Sequence, residues 1–296
     1  MAHTATAKAP ETTAVRSLPT NGPGVNFLRV LKSEWIKVTT VPSTVILLSI
    51  TLVVMVGLSA LFAWSMATSA ASAESFTSSD PEIAAQLAAT NYGELALTAP
   101  SAGIIFGQLL IASLAVVLIA SEWGTGMIRS TMVAVPTRIP ALLAKNLIIA
   151  VIAFVVGAGA AFISYFVAQP LLAPEGIDFA ITTDGVLLSI INTGAVLALM
   201  AIIAMSIGTL LRNTAGGVVT AIGLLMVLPI IVQIFSGLAD WIPDAARFLP
   251  SSAGEQMVAL TIAEDALNQW QGALVLGGWA LVLLVISLVV TKKRDV

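Results

Sequence analysis

Residues 121–146 read SEWGTGMIRSTMVAVPTRIPALLAKN. A long apolar run ends just before Ser121, and another begins just after Asn146. Between them sit Glu122, Arg129, Arg138 and Lys145, the densest group of charges in the middle of the chain. Gly124, Gly126, Pro136 and Pro140 divide the stretch into short pieces. Apolar positions (Trp123, Met127, Ile128, Met132, Val133, Val135) alternate with polar ones, as in short helices that lie on a membrane surface or against a partner. A bare connector between two spanning helices needs only a few polar residues. The length and pattern here predict a surface on which another protein acts.

The flanking runs set the class. Of 296 residues, 58% are apolar and 10% are charged; the mean hydropathy is +1.00. Soluble domains carry about 25% charged residues, so the sequence predicts an all-α integral membrane protein. There is no cysteine, hence no disulfide and no thiolate chemistry, and the one histidine, His3, falls in the N-terminal tail.

Residues 1–24 are rich in Ala, Thr and Pro and predict a disordered cytoplasmic tail. Residues 25–296 are expected to form one transmembrane domain of six spans. Leu28, Leu31, Trp35 and Val38 recur at helical spacing, with Arg29, Lys32, Ser33 and Lys37 largely off that stripe. Together with Phe27 and Glu34 they predict a basic amphipathic helix in the inner membrane interface. Pro42–Met66 is long enough to cross a bilayer. The SAASA at 69–73 resembles a cleavage site, but the apolar run before it is longer than the roughly 7–15 residues of a signal peptide, so a retained signal anchor is the better reading. Asp80-Pro81-Glu82 predicts a short helix through about Thr90. Five further runs follow at about 99–121, 146–169, 185–210, 215–237 and 270–290. Before the last lies a segment with Trp241, Pro243, Phe248 and Pro250, too apolar for a free loop and too broken for a span. It predicts short helices dipping into the outer interface, or a re-entrant outer hairpin covered by protein.

Lysine and arginine set the orientation. With both termini inside, Arg247 is the only basic residue left on the outer side. The inner side then carries about +8 and the outer about −11 of the net −3. The expected topology is therefore N-in/C-in with an even number of spans.

The sequence also limits the chemistry. No ionisable residue falls well inside the six expected runs, which weighs against an ion-coupled carrier. Gln108, Ser113, Ser164, Asn192, Thr193, Ser206 and Gln233 read as hydrogen-bonding contacts between helices. No phosphate-binding GxxxxGK[ST] is present, and Gly124-Thr125-Gly126 is not completed into GxGxxG because position 129 is Arg. No nucleophile–histidine–acid set can be built, no metal site is indicated, and the basic residues track a membrane surface rather than a nucleic acid. The small residues at 157–161 and Gly216-Gly217 permit close helix contact, either inside the chain or at a dimer seam.

In this order of parts the chain resembles a permease subunit of an ABC-2-type ABC transporter, from about Asn26 to Arg294. The resemblance rests on LKSEWIKVTTVPS leading into the first span and on SEWGTGMIRSTMVAVPTRIPALLAKN after the second. RNTAGGVV, FLPSSAG and the C-terminal KKR add to it. The first outer loop is short and lacks the large extracellular domain of some relatives. The resemblance implies a non-catalytic subunit in a cell membrane, bacterial in type. It also implies two copies of a cytoplasmic ATP-binding cassette ATPase, which bind the ATP, and a second permease copy or paralogue. The 121–146 stretch would be the coupling helix, with Glu122, Trp123, Gly124, Thr125, Gly126, Ile128, Arg129, Pro136, Arg138 and Lys145 as the contact set. Glu122 has Arg129, Arg138 or the ATPase open to it as partners. The expected activity is ATP-driven transport, with export of a lipid-like or amphipathic substrate. The alternatives are a membrane anchor or sensory assembly protein without a transport path, and a lipid-modifying enzyme using outer carboxylates such as Asp240, Asp244 or Glu255.

Overall fold

A computed structural model describes residues 26–76, 90–128, 133, 139–239, 241–261 and 266–293, with residues 74–76 described by backbone alone. The N-terminal tail, the helix expected at 80–90, and Arg129, Pro136 and Arg138 lie outside the described residues. Among the described residues every regular element is helical.

Helix α1 (Phe27–Thr40) starts at Asn26, whose side chain accepts from the Leu28 amide at 3.2 Å. It stops because Pro42 forces the preceding Val41 into an extended conformation. The same proline then opens α2 (Pro42–Phe76) at its first position. Helix α2 runs through the SAASA sequence without a break. A short α3 (Tyr92–Ala96) and a single 3₁₀ turn (Ala99–Ser101) lead into α4 (Ile104–Gly124). Next come α5 (Ile139–Leu172) and α6 (Val186–Leu211). A fifth span is assembled from α7 (Thr214–Ile222), a π-helical turn (Gly223–Val227) and α8 (Leu228–Ile234). Two short helices, α9 (Trp241–Ala246) and α10 (Pro250–Val258), precede α11 (Gln269–Lys293).

Six of these segments are long and apolar enough to cross a membrane. The chain is a multi-pass membrane protein. Several helix ends differ from expectation, α2 among them, which runs to Phe76 rather than Met66. Helix α5 begins at Ile139 rather than near 146, and α4 runs to Gly124. Glu122 and Lys145 therefore stand on helices, and the connector between them shrinks to 125–138. Hydropathy placed the ends at the charges because it assigns each charge to water. Here the two charges neutralise one another and stay on the helices.

Helix α6 is the centre of the bundle and packs against α4, α5, α7, α10 and α11. Its buried face carries Val196, Leu197, Met200, Ile203, Ala204 and Ile207. Small residues set the spacing. A Cβ added to Gly194 would lie 2.7 Å from the Phe154 carbonyl oxygen, and one added to Gly157 would lie 3.0 Å from the Gly194 Cα. The small residues of 157–161 thus serve a seam inside the chain, with α5 and α6 in close approach. Gly217 likewise sits on Val116 of α4.

The segment before the last span packs inward. Trp279, about ten residues beyond the start of α11, donates to the Phe248 carbonyl at 2.9 Å. At 1.5 Å per residue that contact lies about 15 Å along α11. From there α10 runs back towards the start of α11, with Gly254 against Val196 and Gly272 against the Ala253 carbonyl. The last carbonyls at this end have no helical partners of their own. Asn192 donates to Met257 at 2.6 Å, Ser189 to Val258 at 2.7 Å and Gln269 to Ala259 at 2.7 Å. Asn192, expected as a contact between helices, does that work here.

Candidate functional site

The site is built where α1, the end of α4 and the start of α5 meet. Lys32, Lys37, Lys145, Arg212, Lys292 and Lys293 belong to this end of the bundle, called here the basic end. Helix α1 turns Val30, Glu34 and Val38, spaced by four, against the protein. Its apolar stripe is divided, with Val38 on this buried face and Leu28 and Trp35 off it. Leu28 is 67% exposed and Trp35 46%, Phe27 is exposed, and Leu31 is partly buried. The helix formed as the spacing predicts, but the face it buries in the bundle centres on a carboxylate. Sequence periodicity missed this because it counts Glu34 as polar and places it outward.

Glu34 is buried because cations surround it. Lys37, one turn on, donates to Glu34 Oε1 at 2.7 Å. Lys145 of α5 bonds Glu34 Oε2 and also Glu122 Oε1, the latter at 2.7 Å. Lys37 reaches the same Glu122 oxygen at 3.5 Å. Glu34, Glu122 and Lys145 are 1%, 5% and 5% exposed. Two carboxylates and two ammonium groups cancel, which is the condition on which charges can be buried at all. Burial acts to lower the Lys37 ammonium pKa, but the hydrogen bond to Glu34 and the charges of Glu122 and Glu34 outweigh it and hold the pKa above its ordinary value. Glu122, open to several partners on sequence grounds, is thus held by Lys145 and Lys37. Its other oxygen, Oε2, makes no hydrogen bond among the described residues. Glu122 also lines a cleft of about 320 Å³ together with Ser43, Thr44, Leu114 and Met205.

Just beyond Glu122 the chain turns out of α4. Thr125 caps the helix, with its hydroxyl on the Ser121 carbonyl at 2.8 Å. Gly126 follows at φ +73°, a left-handed conformation that stops a helix and favours glycine. Ile128 folds back and is 3% exposed within the main core, whereas Met127 and Val133 stay exposed. Gly124 has open space around its Cα. Trp123 lies under Arg212, with the guanidinium carbon 3.9 Å from the ring centroid. Arg212 ends α6 at φ +53°, and Asn213 then caps α7 by accepting from the Gly216 amide at 2.8 Å. The RNT turn between the fourth and fifth spans therefore touches the 121–146 stretch.

Of the expected contact residues, the structure brings Glu122, Trp123, Gly124, Thr125, Gly126, Ile128 and Lys145 to this one end. Trp241, Pro243, Phe248 and Pro250 belong to the other end of the bundle: Trp241 and Phe248 are exposed, Pro243 lines a cleft and Pro250 is buried. Among the described residues no group of acids and histidines is placed to hold a metal ion. Compared with known proteins, the sequence matches no family model and no curated protein.

Proposed function

We propose that the chain is the membrane-spanning, non-catalytic subunit of an ATP-driven transporter of the ABC-2 type. It would be worked by a separate ATPase through the 121–146 stretch. The observation that carries this reading is the clamp at the base of that stretch. Glu122 and Lys145 stand on different spans and bond each other at 2.7 Å, and Lys145 also bonds Glu34 of α1. A push on 125–138 would then move the ends of α1, α4 and α5 together instead of bending a free loop. The Trp123–Arg212 contact would carry the same push to the fifth span.

The rest follows the resemblance. Two ATPase copies bind and hydrolyse ATP, a second permease copy or paralogue completes the path, and both termini face the cytoplasm of a bacterial cell. The collection of lysines at the basic end supports that orientation. The outward-facing Leu28 and Trp35 support an α1 lying in the inner interface, with its apolar side in lipid. The depth of the Phe248 contact supports a re-entrant hairpin at 241–258. Export of a lipid-like or amphipathic substrate fits spans whose middle parts are apolar.

The test is a pull-down of the tagged full chain in a mild detergent, with bound proteins identified. Recovery of an ATP-binding cassette protein, lost on combining Glu122→Ala with Arg129→Ala, is the expected result. Recovery of this chain alone, or a double variant that keeps both association and transport, overturns the reading.

A further inference from the structure

At the end of the bundle away from the ion cluster, a cleft of about 570 Å³ opens between α4, the fifth span and α10. That volume lies within the range of small-molecule sites, roughly 300–1,000 Å³. Its walls are mostly apolar, with Leu109, Met226 and Pro229 among them. Six polar side chains line it: Gln108, Gln233, Ser236, Ser251, Ser252 and Glu255. Ser236 donates to the Gln233 carbonyl at 2.8 Å, and none of the other five side chains makes a hydrogen bond among the described residues. Gln108 and Ser251 are each 3% exposed. Buried polar groups are nearly always satisfied, so the buried, unbonded Gln108 and Ser251 point to something that enters the cavity, with Gln233 and Glu255 exposed at its edge. The π-helical turn Gly223–Val227, a feature frequent at functional sites, contributes Leu225 and Met226 to the wall.

The charge of the cleft narrows the chemistry. Among the described residues Glu255 is the one charged side chain lining it, and none of those lining residues is basic. Partial burial against the cleft raises the Glu255 carboxyl pKa, although the residue as a whole is exposed. A carboxylate in that position lacks a counter-charge, and a bound cation would supply one.

We propose that the cleft between α4, the fifth span and α10 binds a monovalent cationic amphiphile, with Glu255 as the counter-charge. Gln108 and Gln233 orient polar groups next to the cation, and Leu109, Met226 and Pro229 take the apolar part. This deepens the transport reading by giving its cargo a chemical class, but binding itself needs no ATPase. If an ATPase is recovered and no cation binds, only the cleft proposal fails. If the cation binds and no ATPase is recovered, only the transport reading fails.

The experiment uses the full chain in lipid nanodiscs, with empty nanodiscs as the reference for partitioning. The probes are tetraphenylphosphonium and tetraphenylborate, which share shape and differ in charge. Tetraphenylphosphonium is expected to bind saturably and tetraphenylborate at least tenfold more weakly. Glu255→Gln is expected to weaken the cation about tenfold, the size of one charge-assisted contact. Gln108→Leu should weaken it less. Equal binding of the two probes, or Glu255→Gln with unchanged affinity, overturns the proposal. Should these variants fail to fold, Ser252→Cys supplies a second measurement in a chain with no cysteine of its own. Tetraphenylphosphonium should slow maleimide labelling of that thiol, and unchanged labelling at saturating cation overturns the proposal as well.

Discussion

Glu122 Oε1 and Lys145 Nζ lie 2.7 Å apart across the base of the 125–138 connector, and both side chains are 6% exposed. Lys145 also bonds Glu34, so its loss would leave two buried carboxylates facing only the half-exposed Lys37. Breaking a buried pair from one side costs about 3–5 kcal/mol. Lys145→Met is therefore expected to lower the thermal midpoint of the detergent-solubilised chain sharply. Lys37→Met, at a side chain 31% exposed, should cost about 1 kcal/mol or less. Adding Glu122→Gln to Lys145→Met removes one stranded charge and should recover part of the loss. A double variant no more stable than Lys145→Met would mean that the two residues are not coupled.

Lys37 gives the cluster a pH dependence of known sign. Its folded-state pKa lies above the ordinary 10.5. A raised ammonium stabilises the fold fully below the ordinary value, and that contribution disappears as pH rises through the raised one. The thermal midpoint should therefore lack a Lys37-dependent slope from pH 7 to about 10 and acquire one above that range. Lys37→Met should remove this alkaline component. An identical alkaline fall in the variant would assign the effect to other groups.

The spans were legible because lipid demands about 20 apolar residues for each crossing, and no tertiary contact overrides that demand. Helix α1 was legible from the spacing of Leu28, Leu31 and Trp35, yet its buried face was not. Glu34 is buried by cations at positions 37 and 145; Lys37 is on the same helix, but Lys145 is 111 residues away along the chain and periodicity within one helix does not contain it. Glu255 stood among the outer carboxylates on sequence grounds, but its place on a cleft between α4, the fifth span and α10 depends on tertiary packing that the sequence does not show. The charges of 121–146 stood out in the sequence, while the pairing of Glu122 with Lys145 across two helix ends required knowing which ends meet.

Glycine spacing at the α5–α6 seam yields a contrast between two neighbours. A Cβ at Gly194 would lie 2.7 Å from the Phe154 carbonyl oxygen and 2.9 Å from Ala158 Cβ, so backbone must move. Overpacking of this kind costs about 1–3 kcal/mol, and Gly194→Ala should lower the thermal midpoint accordingly. Gly159 has nothing within 4 Å of an added Cβ. Gly159→Ala should be neutral, or gain up to about 1 kcal/mol from helix propensity. Equal effects at the two positions would show that α5 and α6 are not in close approach at Gly194.

The absence of cysteine makes the topology directly testable with single introduced thiols. Val133, 81% exposed in the connector, and Trp241, 68% exposed in α9, lie on opposite ends of the bundle. Val133→Cys should react with a membrane-impermeant maleimide only when the cytoplasmic face is open. Trp241→Cys should react in intact cells. Phe248→Cys should react more slowly than Trp241→Cys, because its carbonyl is bonded to Trp279 about 15 Å along α11. Reversed labelling of 133 and 241 would put the connector outside the cell, beyond reach of an ATPase. It would remove the coupling reading even if every helix is placed correctly. Fast labelling of 248 would instead leave the orientation intact and take away the re-entrant hairpin.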